Sequence, residues 1–128
     1  MVVVAVSGYF DPIHVGHLEL LKLARQLGDR LVVIVNNDQQ AVLKKGKSFM
    51  NEKDRMEIVS ALQSVDEVFL SIDNDKSVCK SLEFLKPDIF ANGGDRSLSE
   101  IPETAVMEKY SIKTVSYTHL TLPTTPYV

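Results

Sequence analysis

The chain predicts an α/β fold of three layers, with a parallel five-stranded sheet between helices. Two observations predict it. Short, apolar, β-branched runs alternate with helical patterns along the chain, and strict strand–helix alternation implies a parallel sheet with helices on both faces. Strand candidates such as Leu31-Val32-Val33-Ile34-Val35 are apolar throughout, as strands covered on both faces are. A third observation concerns function. The unusual residues all follow strands, which brings them to one edge of the sheet, where such folds bind ligands.

Val2–Val6 is the first strand. Leu18, Leu20, Leu21, Leu23, Ala24 and Leu27 form the apolar face of the first helix, and Gly28 reads as the residue that ends it. Leu31–Val35 is strand two, closed by the turn formers Asn36-Asn37-Asp38. The polar stretch Lys44-Lys45-Gly46-Lys47-Ser48 reads as a loop. Asn51 caps the next helix, with Glu52 and Asp54 in its first turn and Met56, Ile58, Val59 and Leu62 on its buried face. Glu67–Leu70 is strand three. Asp73, Asp75 and Lys76 read as a loop without chemistry. Val78, Leu82 and Leu85 suit a third helix ended by Pro87, and Ile89-Phe90-Ala91 is strand four. Pro102 fits the first position of a short helix reaching Tyr110. Ile112 to Val115 is strand five.

The 128 residues suit one domain. An apolar fraction of 45% with 24% charged residues is that of an ordinary globular chain, and the net charge of −3 gives no support to nucleic-acid binding. The single cysteine excludes an intramolecular disulfide framework and fits a reducing compartment. No stretch has the length of a membrane span, and Val2–Val6 is too short for a signal-peptide core. The expectation is a cytoplasmic protein with neither nucleic acid nor membrane as partner.

His14 and His17 stand three residues apart on the first strand-to-helix turn. A helix N-terminus offers unpaired N–H groups and positive potential, which suits a phosphate. Residues at i and i+3 share a face, and Gly16 between them leaves room for a ligand. Two other readings stay open: histidines that pack and cap locally, and a metal pair, which would need a further ligand. The third histidine, His119, lies in an atypical tail.

That tail carries no Asp, Glu, Lys or Arg from Ser116 to Val128, although the preceding residues hold all 14 basic and all 17 acidic side chains. Val115-Ser116-Tyr117-Thr118-His119-Leu120-Thr121-Leu122-Pro123-Thr124-Thr125 has no helical period. It reads either as a disordered or strand-like arm or as the in-frame translation of a sequencing-library adapter, the preferred reading. Residues 1–115 then form the domain, and 116–128 are an anomalous tail at a truncated C-terminus.

Gly8-Tyr9-Phe10-Asp11-Pro12-Ile13-His14-Val15-Gly16-His17 resembles the signature of the cytidylyltransferase-like nucleotidyltransferases, Gly-x-Phe-Asp followed after a short spacer by His-x-Gly-His. Leu27-Gly28-Asp29-Arg30-Leu31, the strand after it, and Asn36-Asn37-Asp38 resemble a segment of the heptose-phosphate adenylyltransferases. Arg55, Lys86-Pro87-Asp88 and Gly93-Gly94-Asp95 continue that likeness, and glycerol-phosphate cytidylyltransferases are the other near type.

The resemblance implies a Rossmann-like fold and transfer of AMP or CMP from a nucleoside triphosphate to a small phosphorylated substrate, such as a sugar phosphate, with release of pyrophosphate. It implies ATP or CTP as partner, Mg²⁺ carried by the triphosphate, and a homodimer as a further partner. His14, His17, Lys44 and Lys47 take the catalytic roles. Gly8, Tyr9, Phe10, Asp11, Gly16, Arg55, Asn92, Gly93, Gly94 and Asp95 shape the nucleotide site, and Asp38 and Lys45 the acceptor site. No metal-ligating residues are expected. For several of these a plainer reading stands beside the functional one. The lysines can be a solvated loop, Arg55 can simply pair with Asp54 or Glu52, and Gly93-Gly94 can be a turn.

The family's Ser/Thr-rich motif, which opens the last helix and binds the β- and γ-phosphates, would fall beyond Val115. Thr124-Thr125, flanked by Pro123 and Pro126, is no substitute. Two alternatives follow: a cytidylyltransferase acting on glycerol 3-phosphate or a phospho-amino-alcohol, and a nucleotide-binding protein without turnover.

Overall fold

The computed structural model describes residues 1–10, 15–46, 50–74, 78–92 and 104–116. The order is β1 (Val3–Gly8), α1 (Val15–Arg25), β2 (Arg30–Val35), α2 (Asp38–Lys45), α3 (Glu52–Ser60), β3 (Glu67–Leu70), α4 (Cys79–Leu85), β4 (Ile89–Asn92), α5 (Thr104–Lys109) and β5 (Lys113–Ser116). The five strands form one sheet in the order β3-β2-β1-β4-β5, and every pairing is parallel. Val4 lies opposite Leu31 on one side and Ile89 on the other. The expected α/β architecture is the one observed.

Alternation along the strands divides the core into two layers. Val4, Val6, Leu31, Val33 and Val35 face α1 and α3, where they meet Leu20, Leu21, Ala24 and Val59. Ala5, Ile34 and Phe90 face the other way, onto Val78 and Leu82 at α4 and Met107 and Ile112 around α5. Each fully buried valine or leucine contributes roughly 1.5–3 kcal/mol of transfer free energy. The central strands are thereby fixed in register, because a one-residue slip would exchange the two layers.

The N-terminal ends of the strands are tied by carboxylates. Asp29 accepts from the Val2 N–H at 2.7 Å, Asp88 from Val3 at 2.8 Å and Asp66 from Leu31 at 2.8 Å. Arg30 pairs with Glu67 on the adjacent strand, and that carboxylate holds the guanidinium above its ordinary pKa. These contacts close the edge of the sheet opposite the candidate site.

Four sequence expectations change. Asp38 does not belong to the turn, nor Lys44 and Lys45 to a loop, because Asp38–Lys45 is helix α2. Gly28 does not end α1 in a left-handed turn. A Cβ there would lie 2.7 Å from the Val2 carbonyl oxygen, so Gly28 serves close backbone packing. Ile58 is 38% exposed, and Arg55 takes its place with Val59 on the buried face of α3. Asp73 is 3% exposed and caps α4 from a distance, accepting from the Lys80 and Ser81 N–H groups at 2.8 and 3.0 Å. No helix among the described residues is long and apolar enough to cross a membrane.

Candidate functional site

The strand order places the candidate site. From β1 the chain moves outward through β2 and β3, and it returns on the other flank of β1 as β4 and β5. The order therefore reverses between β1 and β4, and folds of this kind bind ligands beyond the C-terminal strand ends at such a reversal. Gly8 closes β1, and Asn92 closes β4 beside it. The first turn of α1 holds Gly16, which is buried, and His17, which is half-buried.

Tyr9 and Phe10 leave the end of β1. Phe10 has a φ of 52°, in the left-handed region, and is 2% exposed. Its ring packs edge-to-face on His17, with centroids 4.9 Å apart. Beside it, the Gly8 carbonyl accepts from the Asn36 N–H at 2.9 Å, which carries the β1–β2 pairing one step past the strands.

Arg55 reaches into this region from α3. Its guanidinium is 0% exposed and bonds to four groups. Nη1 donates to the carbonyls of Tyr9 at 2.8 Å and Asn36 at 2.6 Å, Nε to Met50 at 3.0 Å, and Nη2 to the Asp38 carboxylate at 2.7 Å. The ion pair is therefore with Asp38, on a separate helix, and not with Glu52 or Asp54. Glu52 instead accepts from the Asp38 N–H at 2.9 Å. One buried cation thus joins the ends of β1 and β2, the start of α2 and the start of α3. Asp38 stays 40% exposed at the rim.

Sequence reasoning missed the brace around α2. Asn37 and Gln40 form a reciprocal capping box, with bonds of 2.8 and 3.0 Å. The Asn37 amide also donates to the carbonyls of Ser71 and Asp73, at 3.0 and 2.9 Å. Gln40 is fully buried. The signal lay in Asn37-x-x-Gln40, with Gly46 after the helix at φ 85°. It was hidden by three lysines that look like loop.

Gly8, Tyr9, Phe10, Gly16, His17, Asp38 and Arg55 therefore meet at one edge of the sheet, with Asn92 on the neighbouring strand. Lys44 and Lys45 are the last two residues of α2. Asp11, His14, Lys47, Gly93, Gly94 and Asp95 lie outside the described residues. Among the described residues no group of three or more His, Cys, Asp or Glu side chains stands together as a metal ion requires.

Comparison with known proteins agrees with this architecture. The FAD synthase of Methanothermus fervidus is 43% identical over 97 residues, which are 73% of this chain and 66% of that protein. The bifunctional protein HldE of Koribacter versatilis is 37% identical over 101 residues, 77% of this chain and 20% of that protein. The match thus spans just under two thirds of that FAD synthase and a fifth of that bifunctional protein. A lipopolysaccharide core biosynthesis protein of known structure from Thermoplasma volcanium superposes with a TM-score of 0.78 at 31% identity, covering 92% of this chain and 97% of that one. Residues 5–127 match the cytidylyltransferase-like family. The parallel sheet, its reversal of strand order at β1 and β4 and this match together identify the chain as a member of the cytidylyltransferase-like family.

Proposed function

We propose that the protein transfers a nucleotidyl group, AMP from ATP in the preferred form, to a small phosphorylated acceptor. An acceptor phosphate oxygen attacks the α-phosphorus, the bond from that phosphorus to the bridging oxygen breaks, and pyrophosphate leaves. The observation that carries this reading is the start of α1, with His17 in its first turn, opening at the β1/β4 switch point. Backbone N–H groups and an imidazole at that place supply fixed donors to phosphate oxygens as charge shifts from the attacking to the leaving group. Phosphoryl-type transfer depends mostly on such positioning and charge stabilisation. Mg²⁺ enters as the metal complex of the triphosphate, as part of the substrate. We assign His14 as the second phosphate-binding imidazole and Lys44 and Lys47 as further phosphate contacts, from their places in the sequence. Asp38, Lys45 and the Gly93-Gly94-Asp95 segment border the acceptor.

The FAD synthase relatives favour flavin mononucleotide as the acceptor, since FAD is that nucleotide joined to AMP. A sugar phosphate is the second reading. It is favoured by the likeness to the lipopolysaccharide core biosynthesis protein and to HldE. A pyrophosphate-release assay decides between them, with ATP or CTP offered against flavin mononucleotide, sugar phosphates, glycerol 3-phosphate and a phospho-amino-alcohol. The expected result is release with ATP and flavin mononucleotide. Nucleotide binding without pyrophosphate release from any pair would overturn the enzymatic reading and leave a binding protein.

A further inference from the structure

An aromatic ring with no polar atom holds the imidazole at the candidate site. Phe10 belongs to the buried cluster of the α1/α3 layer, with Leu20, Leu21, Val35 and Val59 among its members. At 2% exposure it has almost no surface to offer a nucleotide. Its left-handed φ of 52° costs roughly 1–2 kcal/mol for a residue with a bulky side chain. That conformation turns the chain after Tyr9 and sends the ring inward. The ring has two close neighbours at the site. One is His17, edge-to-face at 4.9 Å with the planes 64° apart. The other is Gly8, where a Cβ would stand 2.9 Å from Phe10 Cζ and 3.0 Å from Cε2.

We propose that Phe10 is a positioning residue that acts through His17, and that Gly8 is a glycine because the Phe10 ring occupies the space of its side chain. The effect on rate rests on the nucleotidyl-transfer reading above; the geometry does not. An aromatic ring fixed in the core narrows the orientations open to the neighbouring imidazole through a preferred edge-to-face contact. Loss of the ring then costs orientation at the reacting phosphate rather than nucleotide binding.

The test joins spectroscopy to kinetics on the full chain, comparing the parent with Phe10→Leu, Phe10→Met, Gly8→Ala and the Gly8→Ala/Phe10→Leu pair. The His17 ring resonances are expected to lose their aromatic ring-current displacement in Phe10→Leu and Phe10→Met, and to shift in Gly8→Ala. With a turned-over substrate, each single variant is expected to lower kcat about tenfold while nucleotide KM changes by less than about threefold. The pair is expected to be little slower than Phe10→Leu alone, because the shorter side chain makes room for the new Cβ. Unchanged His17 resonances in a folded Phe10→Leu or Phe10→Met variant would overturn the proposal, as would rate losses that simply add. If the parent turns over no nucleotide, the functional reading fails, while the His17 resonances still decide whether Phe10 positions the imidazole. Gly8→Ala keeps the Phe10 residue but displaces its ring, and supplies the same test if both Phe10 variants unfold.

Discussion

His17 and Arg55 divide the work at the level of single residues. His17 is half-buried in the first turn of α1, where a donor can face a ligand. His17→Ala is expected to lower kcat about a hundredfold or more with the fold intact, the scale of losing one preorganised donor. Near-normal turnover by a folded variant would remove it from the mechanism. Arg55 is the opposite case, since its guanidinium is fully buried and bonded to the protein. Arg55→Met keeps much of the volume but leaves three carbonyls and the Asp38 carboxylate without their donor. It is expected to destabilise the chain by about 3 kcal/mol or more in urea unfolding, as removal of one partner from a buried pair does. A loss under about 1 kcal/mol would mean that water replaces the guanidinium easily.

Among the elements, the two asparagine caps make a controlled comparison. Asn51 caps α3 through one bond to the Asp54 N–H at 2.8 Å. Asn37 caps α2 through a reciprocal box and also ties the β3–α4 connection through Ser71 and Asp73. Asn51→Ala is expected to cost about 1 kcal/mol, the usual price of a lost cap. Asn37→Ala should cost clearly more, because two carbonyls on a second connection lose their donor as well. Equal midpoints in thermal unfolding would show that the second pair of bonds adds nothing. Helix α2 therefore owes its place to long-range contacts, since eight residues are too few to hold a helix in water without tertiary support.

At the scale of the whole molecule, the sheet order decides which connections can share a ligand. Segments far apart in sequence end at one edge, and the opposite edge is closed by Asp29, Asp66 and Asp88. Lys44 is the penultimate residue of α2, and Lys47 follows three residues later. Replacing both with Ala is expected to raise KM for nucleotide or acceptor severalfold and leave the melting temperature nearly unchanged; a change in stability alone would make them structural. Ser116 pairs with Asn92 as the last described residue of β5, so the sheet takes in the first residue of the charge-free stretch. Removing residues 117–128 is expected to change stability by no more than about 1 kcal/mol, whereas removing 113–128 also takes an edge strand and should cost several times as much. A large loss from the shorter deletion would show that the tail is packed.

The sequence alone determined the alternation of strands and helices, the sense of the sheet and the edge at which the signature residues gather. It could do so because those features depend on local hydrophobic pattern and on chain order. Val2–Val6 and Leu31–Val35 announce buried strands by composition, and Asn51 announces a cap by its place before Glu52 and Asp54. The partner of Arg55 was decided only in three dimensions. Neighbours in sequence offer Glu52 and Asp54, yet the guanidinium points into the core and meets Asp38, 17 positions away. The same holds for Phe10, whose aromatic ring sits with the motif in sequence but against His17 and Gly8 in space, and for Asp73, whose loop turns inward to cap a helix. Helix α2 was hidden because its apolar content is low and its stability comes from Asn37 and the buried Gln40 rather than from an apolar stripe. Periodicity reports which face of an element is buried; which buried polar group meets which partner depends on how the elements pack, and no local pattern encodes that.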